Sequence, residues 1–222
     1  MMLSSYSPGA VILVVVALAL APFVAVMVTA YTKIVVVLSL LRNALGLQQV
    51  PPNVVLNGLA IILSVYVMYP ILLEMQENTQ QAMEQFTAQH SDTDKLLSLA
   101  REAKEPLRAF LYENSEDTER QFFVKSLKKL AGSDRPLQVE KTDLVIVVPA
   151  FVVCELTEAF QIGFVLFLPF LVIDLIVSNI LQALGMAMLA PPTVALPFKL
   201  LLFVFISGWT HLVHGLVTTY IH

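Results

Sequence analysis

The chain has 222 residues, 57% of them hydrophobic and 14% charged, with a formal net charge of −4. An ordinary soluble domain carries about a quarter of its residues as charges, so this composition excludes one and identifies an integral membrane protein. No basic excess suggests nucleic acid, and a single cysteine, Cys154, excludes an intrachain disulfide or a thiol-rich metal site.

Charge is distributed very unevenly. Of the thirty charged residues, twenty-four lie between Glu74 and Asp143, which divides the chain into an apolar N-terminal region (1–73), a polar module (74–143) and an apolar C-terminal region (144–222). Only Lys33, Arg42, Glu155, Glu158, Asp174 and Lys199 interrupt the apolar flanks. A charge inside hydrocarbon costs about 2.5 to 3.5 kcal/mol on insertion scales, so each of the six calls for a partner.

Residues 8–30 and 53–73 are apolar runs of a length that crosses a roughly 30 Å hydrocarbon core at about 1.5 Å per residue. In the first run, Ala19-Leu20-Ala21 looks like a small-residue cleavage site. The absence of Lys or Arg from the first ten residues and the presence of Pro22 lead us to expect that the segment is retained. Between the runs, Arg42 and Gly46 supply a cation and a helix-ending glycine, and Pro51-Pro52 restarts the chain, which reads as a short hairpin connection. The polar module reads as helical. Met75, Thr79, Met83 and Phe86, then Leu96, Ala100, Ala103, Leu107 and Phe110, and finally Phe123, Leu127 and Leu130 recur at intervals of three and four. Ser91 or Asp92 is placed to cap the second of these helices, and Gly132 to end the third.

Residues 144–185 are mostly apolar over twice the length one span needs, with Pro149, Pro169, Glu155, Glu158 and Asp174 inside. As a helix, Glu155 to Asp174 alone would cover about 28 Å. Either the stretch folds back or protein surrounds it. A last helix-length run follows, Thr193 to about Val217, preceded by Pro191-Pro192 and carrying Lys199. The fold expected is therefore all-α, with about four long apolar segments in helical hairpins, the third broken, and an inserted helical polar module.

Two readings account for the isolated charges. Either Glu155 or Glu158 pairs with Lys199, within a subunit or between neighbours, or Lys199 snorkels to an interface while the acids sit in a polar crevice. Ala159 and Gly163 form a small-x-x-x-small pair that admits a second helix. Tyr31, Lys33 and Arg42 are candidate interface anchors. His211 and His214 share a helix face, but no convergent Cys, Asp or Glu accompanies them and a zinc site needs three or four ligands, so no metal is expected. Neither a nucleophile motif nor H-E-x-x-H is present, so neither catalysis nor a cofactor is expected.

Four stretches together resemble a known family: TAYTK at 29–33, LRNALG at 41–46 with PPN at 51–53, ELTEAFQIG at 155–163 running into FLPFLVID at 167–174, and PPTVALPFKLLLFVFISGW at 191–209. The chain is similar to the R component of the type III secretion export apparatus, whose flagellar relative is FliP. The resemblance implies a non-enzymatic subunit of the export gate of an injectisome or flagellum, in the bacterial inner membrane with much of the assembly, including the polar module, on the periplasmic side. About five R copies would join S and T components, with U and V components nearby, and unfolded secreted proteins would thread the centre. It also implies a methionine constriction, here Met186 and Met188, with Ala187 standing where the flagellar pattern has a third methionine. An unbranched thioether adapts to irregular neighbours, and an apolar constriction resists water and ions. The alternative is a secondary transporter or ion channel subunit with Glu155, Glu158, Asp174 and Lys199 as an ion path, though no inverted repeat supports it.

Overall fold

The computed structural model describes residues 8–47, 49–84, 92–132, 138–186 and 188–221. Eight α-helices and no strand occur among them: α1 (Pro8–Met27), α2 (Tyr31–Ala44), α3 (Asn53–Glu84), α4 (Asp92–Glu113), α5 (Asp117–Ala131), α6 (Leu144–Ala183), α7 (Pro191–Phe205) and α8 (Gly208–Thr218). The all-α expectation holds. Among the described residues two helices, α3 and α6, are long and apolar enough to cross a membrane, and the bent pair α7 and α8 makes a third if counted as one span.

The segment between the first two apolar runs is more than a connection. Ile34, Val37, Leu38, Leu41 and Ala44 recur at helical spacing and are all buried, and they make α2 the central helix of the subunit. Around it pack Leu56, Ala60 and Leu63 of α3, Ala159 and Phe170 of α6, Phe203 of α7, and Leu212 and Leu216 of α8. The sequence places a helix end at Gly46, and α2 stops there: Leu47 N–H returns to Arg42 O at 3.2 Å and Gly46 N–H to Asn43 O at 3.0 Å. Arg42 then clips the loop, donating to Pro51 O at 3.4 Å and to the Asn53 side chain.

In the third apolar stretch the structure corrects the expected break. α6 is one helix of 40 residues with Pro149 and Pro169 inside it, about 60 Å long and twice the thickness of a hydrocarbon core. Proline removes one backbone donor, yet apolar helices tolerate it when neighbouring packing holds the turn. The break lies instead in the final run, where α7 and α8 meet at 61°. Ser207 sits there in the left-handed region at φ 51, and Gly208 follows.

The polar module contributes the C-terminal part of α3, which runs on past residue 73, together with α4 and α5. α4 packs back on α3 and on α6, and α5 on α6. The second module helix starts at Asp92, and the third ends at Gly132, φ 75, as its sequence requires. Ser91 and Phe86 lie outside the described residues. A buried arginine organises the turn between α4 and α5: Arg120 donates to Tyr112 O at 2.7 Å, to Ser115 O, and to Ser115 Oγ at 2.8 Å, with its guanidinium 3.9 Å from the Tyr112 ring centre. The Glu116 N–H in that turn donates to Cys154 Sγ of α6 at 3.2 Å. Lys141, ahead of α6, donates to both Asp117 oxygens and holds that carboxyl below its usual pKa. Both partners are exposed, so the contact adds little stability.

Candidate functional site

Five of the six flank charges fall into two clusters, each built on a buried lysine, one at each end of α2. Near its N-terminus, Lys33 Nζ lies 2.9 Å from Glu155 Oε1 and 2.7 Å from Glu158 Oε2. Lys33 and Glu155 are each 1% exposed in their side chains, whereas Glu158 is 45% exposed. The ammonium also rests 4.1 Å from the centre of the Tyr220 ring, and the Tyr220 hydroxyl donates to Glu155 Oε2. The spacing of three places Glu155 and Glu158 on one face of α6, so one cation serves both carboxylates.

At the other end of α2, Lys199 Nζ of α7 donates to Asp174 Oδ2 of α6 at 2.6 Å and to Ala44 O, the carbonyl of the last α2 residue, at 3.1 Å. A cation at a helix C-terminus satisfies an orphan carbonyl and complements the helix dipole. Within the subunit, then, Lys199 pairs with Asp174 rather than with Glu155 or Glu158. The reason is the unbroken α6, which sets Glu155 and Asp174 about 28 Å apart along one axis and leaves Lys199 within reach of only the second. Lys199 is 4% exposed, so it does not snorkel.

Lys33 also departs from its expected role as an interface anchor, because it is the buried centre of the first cluster. Tyr31 is half-buried against the α2 core, and Arg42 braces the loop before α3. Sequence reasoning missed Tyr220, which carries no insertion penalty to mark it out.

Ala159 and Gly163 take α2 as their close neighbour. Ala159 is fully buried, and a Cβ added at Gly163 would lie 3.1 Å from Leu40 Cβ and 3.2 Å from Leu40 Cγ, with Leu40 Cδ1 closer still. Gly163→Ala is therefore expected to push α2 from α6 at a cost of about 1 to 3 kcal/mol. A lowered melting temperature of the purified chain checks this, and an unchanged one would show that Leu40 has room to turn away.

Met186 and Met188 sit in the loop joining α6 to α7. Gly185, at φ 69, turns the chain there, with Met186 N–H closing on Leu181 O at 2.9 Å. Such a helix end favours glycine, which bears no Cβ to clash at positive φ. Met186 is 48% and Met188 101% exposed; Ala187 lies outside the described residues. Val177 and Leu181 of α6 pack on Ala195 of α7 below the loop. His211 and His214 are exposed on α8, with His211 Nδ1 3.3 Å from Ser207 O. Among the described residues no three His, Cys, Asp or Glu side chains gather to hold a metal.

A model of the FliP family matches residues 14–216. The chain belongs to the FliP family. This is the export-apparatus family whose resemblance the four stretches carry, and it is a family of membrane-embedded structural components. Among its similar members are "Hypersensitivity response secretion protein HrcR" of Ralstonia nicotianae, 49% identical over 96% of this chain and 97% of that one, and "Yop proteins translocation protein R" of Yersinia pestis, 49% identical over 94% of each. "Virulence protein YscR" of Salmonella typhimurium is 43% identical over 91% of this chain and 92% of its own. The lysines and carboxylates of both ion clusters and the methionine loop lie inside the span that the FliP family model matches.

Proposed function

We propose that this chain is the pore-forming core subunit of a type III secretion export gate, conducting unfolded protein substrates across the bacterial inner membrane, with Met186 and Met188 lining a seal. The observation that carries this reading is the methionine loop itself. Two large apolar side chains stand in the open at the tip of a hairpin braced below by apolar contacts and by the Asp174–Lys199 pair. A subunit with no neighbours gains nothing by exposing them. A ring of such loops closes a dry, adaptable constriction.

The outer face of α6 supports an assembly of about five copies with S and T components, and with U and V components beyond. Phe160, Phe164, Val165, Leu171, Val172 and Ile176 are all exposed along a helix twice as long as a bilayer core is thick, so part of that apolar face needs protein against it. The same length suits a body standing largely on the periplasmic side, with the polar module there too. The relatives' names speak of hypersensitivity, Yop translocation and virulence, which favours an injectisome over a flagellum. An ion path through Glu155, Glu158, Asp174 and Lys199 has less support, because the acids fall into two clusters about 28 Å apart along α6, each closed on its own lysine.

In the assembled complex reconstituted in liposomes, Met186→Ala with Met188→Ala is expected to raise ion leakage while leaving assembly intact. Leakage equal to that of the unaltered complex would end the seal assignment.

A further inference from the structure

Of the partly buried side chains described, only Tyr220 packs against both of the larger apolar clusters, the α2 core and the smaller core where α4 meets α6. Its ring stacks on Phe110 of α4 at 6.1 Å between centres and an interplanar angle of 25°, and Phe110 tilts against Phe151 of α6 at 5.7 Å. Its other contacts are the Lys33 ammonium on α2 and, through the hydroxyl, the Glu155 carboxylate on α6. One side chain near the C-terminus thus touches the polar module, the central helix and the buried ion cluster together.

We propose that Tyr220 is a positioning residue, a C-terminal latch that holds the polar module in register with the Lys33–Glu155–Glu158 cluster; its consequence for secretion rests on the export-gate reading. The ring and the hydroxyl do separate work. The ring fills the gap between Phe110 and Lys33, through stacking and cation–π attraction. The hydroxyl gives Glu155 Oε2 a donor where water is excluded, and a buried carboxylate oxygen without one is costly. From Tyr220 the contacts continue through Phe110 and Phe151 to Cys154, one turn further along α6, whose sulfur accepts from Glu116 in the turn after α4. Loosening α4 should lift Glu116 from Cys154, which makes the native thiol a reporter.

The test uses the full-length chain in membranes of a secreting cell, with Cys154 labelled by a maleimide. Tyr220→Leu is expected to raise the labelling rate about tenfold, the change in open fraction that a loss of roughly 1.4 kcal/mol brings. Tyr220→Phe, which keeps the ring, should hold labelling near its original rate, and so should Ile221→Ala beside it. Labelling unchanged in Tyr220→Leu overturns the latch, as does Tyr220→Phe labelling as fast as Tyr220→Leu.

The hydroxyl is tested by a double-mutant cycle on the purified complex. Tyr220→Phe should lower the melting temperature in the original background and add no further loss to Glu155→Met, a side chain of similar length that offers the hydroxyl no oxygen acceptor. Equal losses in both backgrounds would overturn the Glu155 contact. Secretion should fall with Tyr220→Leu. If labelling responds and secretion does not, the latch stands and the export-gate reading fails; if secretion falls with labelling unmoved, the latch is overturned and the export reading is untouched.

Discussion

Replacing Lys33 with methionine is expected to cost the subunit most of its stability, because two carboxylates lose the cation they share. Removing one partner of a buried ion pair costs about 3 to 5 kcal/mol, against roughly 5 to 15 kcal/mol for a whole domain. Lys33 and Glu155 are both 1% exposed, so water cannot make good the loss at Glu155. Glu158 is 45% exposed and will turn outward. The cation–π contact with Tyr220 is lost as well. The measurement is the amount of full-length chain in membranes and its recovery with partner subunits. Adding Glu155→Leu and Glu158→Gln to Lys33→Met should restore much of that amount, since apolar replacements of a buried pair are often neutral. A Lys33→Met chain that accumulates and assembles like the original would show that the ammonium does not hold this cluster.

How far this cluster was legible in the sequence follows from what a linear chain can and cannot display. Six charges in two apolar flanks announce themselves through the cost of burying them, and five of the six do sit in the two clusters. The partners are another matter. Lys33 and Glu155 are separated by more than half the chain, and only the path of α6 decides which lysine meets which acid. Expecting the third apolar segment to be broken hid that path. With α6 one continuous helix, Glu155 and Asp174 stand at opposite ends of α2, and Lys199 cannot serve both.

Turn chemistry was legible where glycine carries it. Gly46 and Gly132 end their helices at positive φ as expected. The elbow at Ser207-Gly208 also has a sequence signal, since Ser-Gly pairs mark turns, but the hydrophobicity of the flanking residues outweighed it. Tyr220 had none. A tyrosine near a chain end is ordinary until the fold places it over an ammonium and beside a carboxylate. The close approach at Gly163 lay between these cases: the small-residue spacing foretold a neighbouring helix, and the structure supplies α2 of the same chain.

Lys199→Met is expected to be the second most damaging change, and its double role explains why. The side chain neutralises Asp174 and also satisfies Ala44 O at the end of α2, so its loss leaves a carboxylate and a helix-terminal carbonyl without a donor. Asp174 is 35% exposed and keeps some water, which places the loss near the lower end, about 3 kcal/mol, of the range for broken buried pairs. The pair also ties α6 to α7 nine residues before the end of one and eight after the start of the other, so the methionine loop should lose its footing. Secretion should then fall further than the amount of chain does. Reversing the pair, Lys199→Asp with Asp174→Lys, should recover part of the loss: it restores opposite charges across the hairpin but starts the lysine from α6, away from Ala44 O. Recovery of Lys199→Asp by Glu155→Lys instead would assign the contact to neighbouring subunits, since α6 holds those two positions too far apart to meet within one chain.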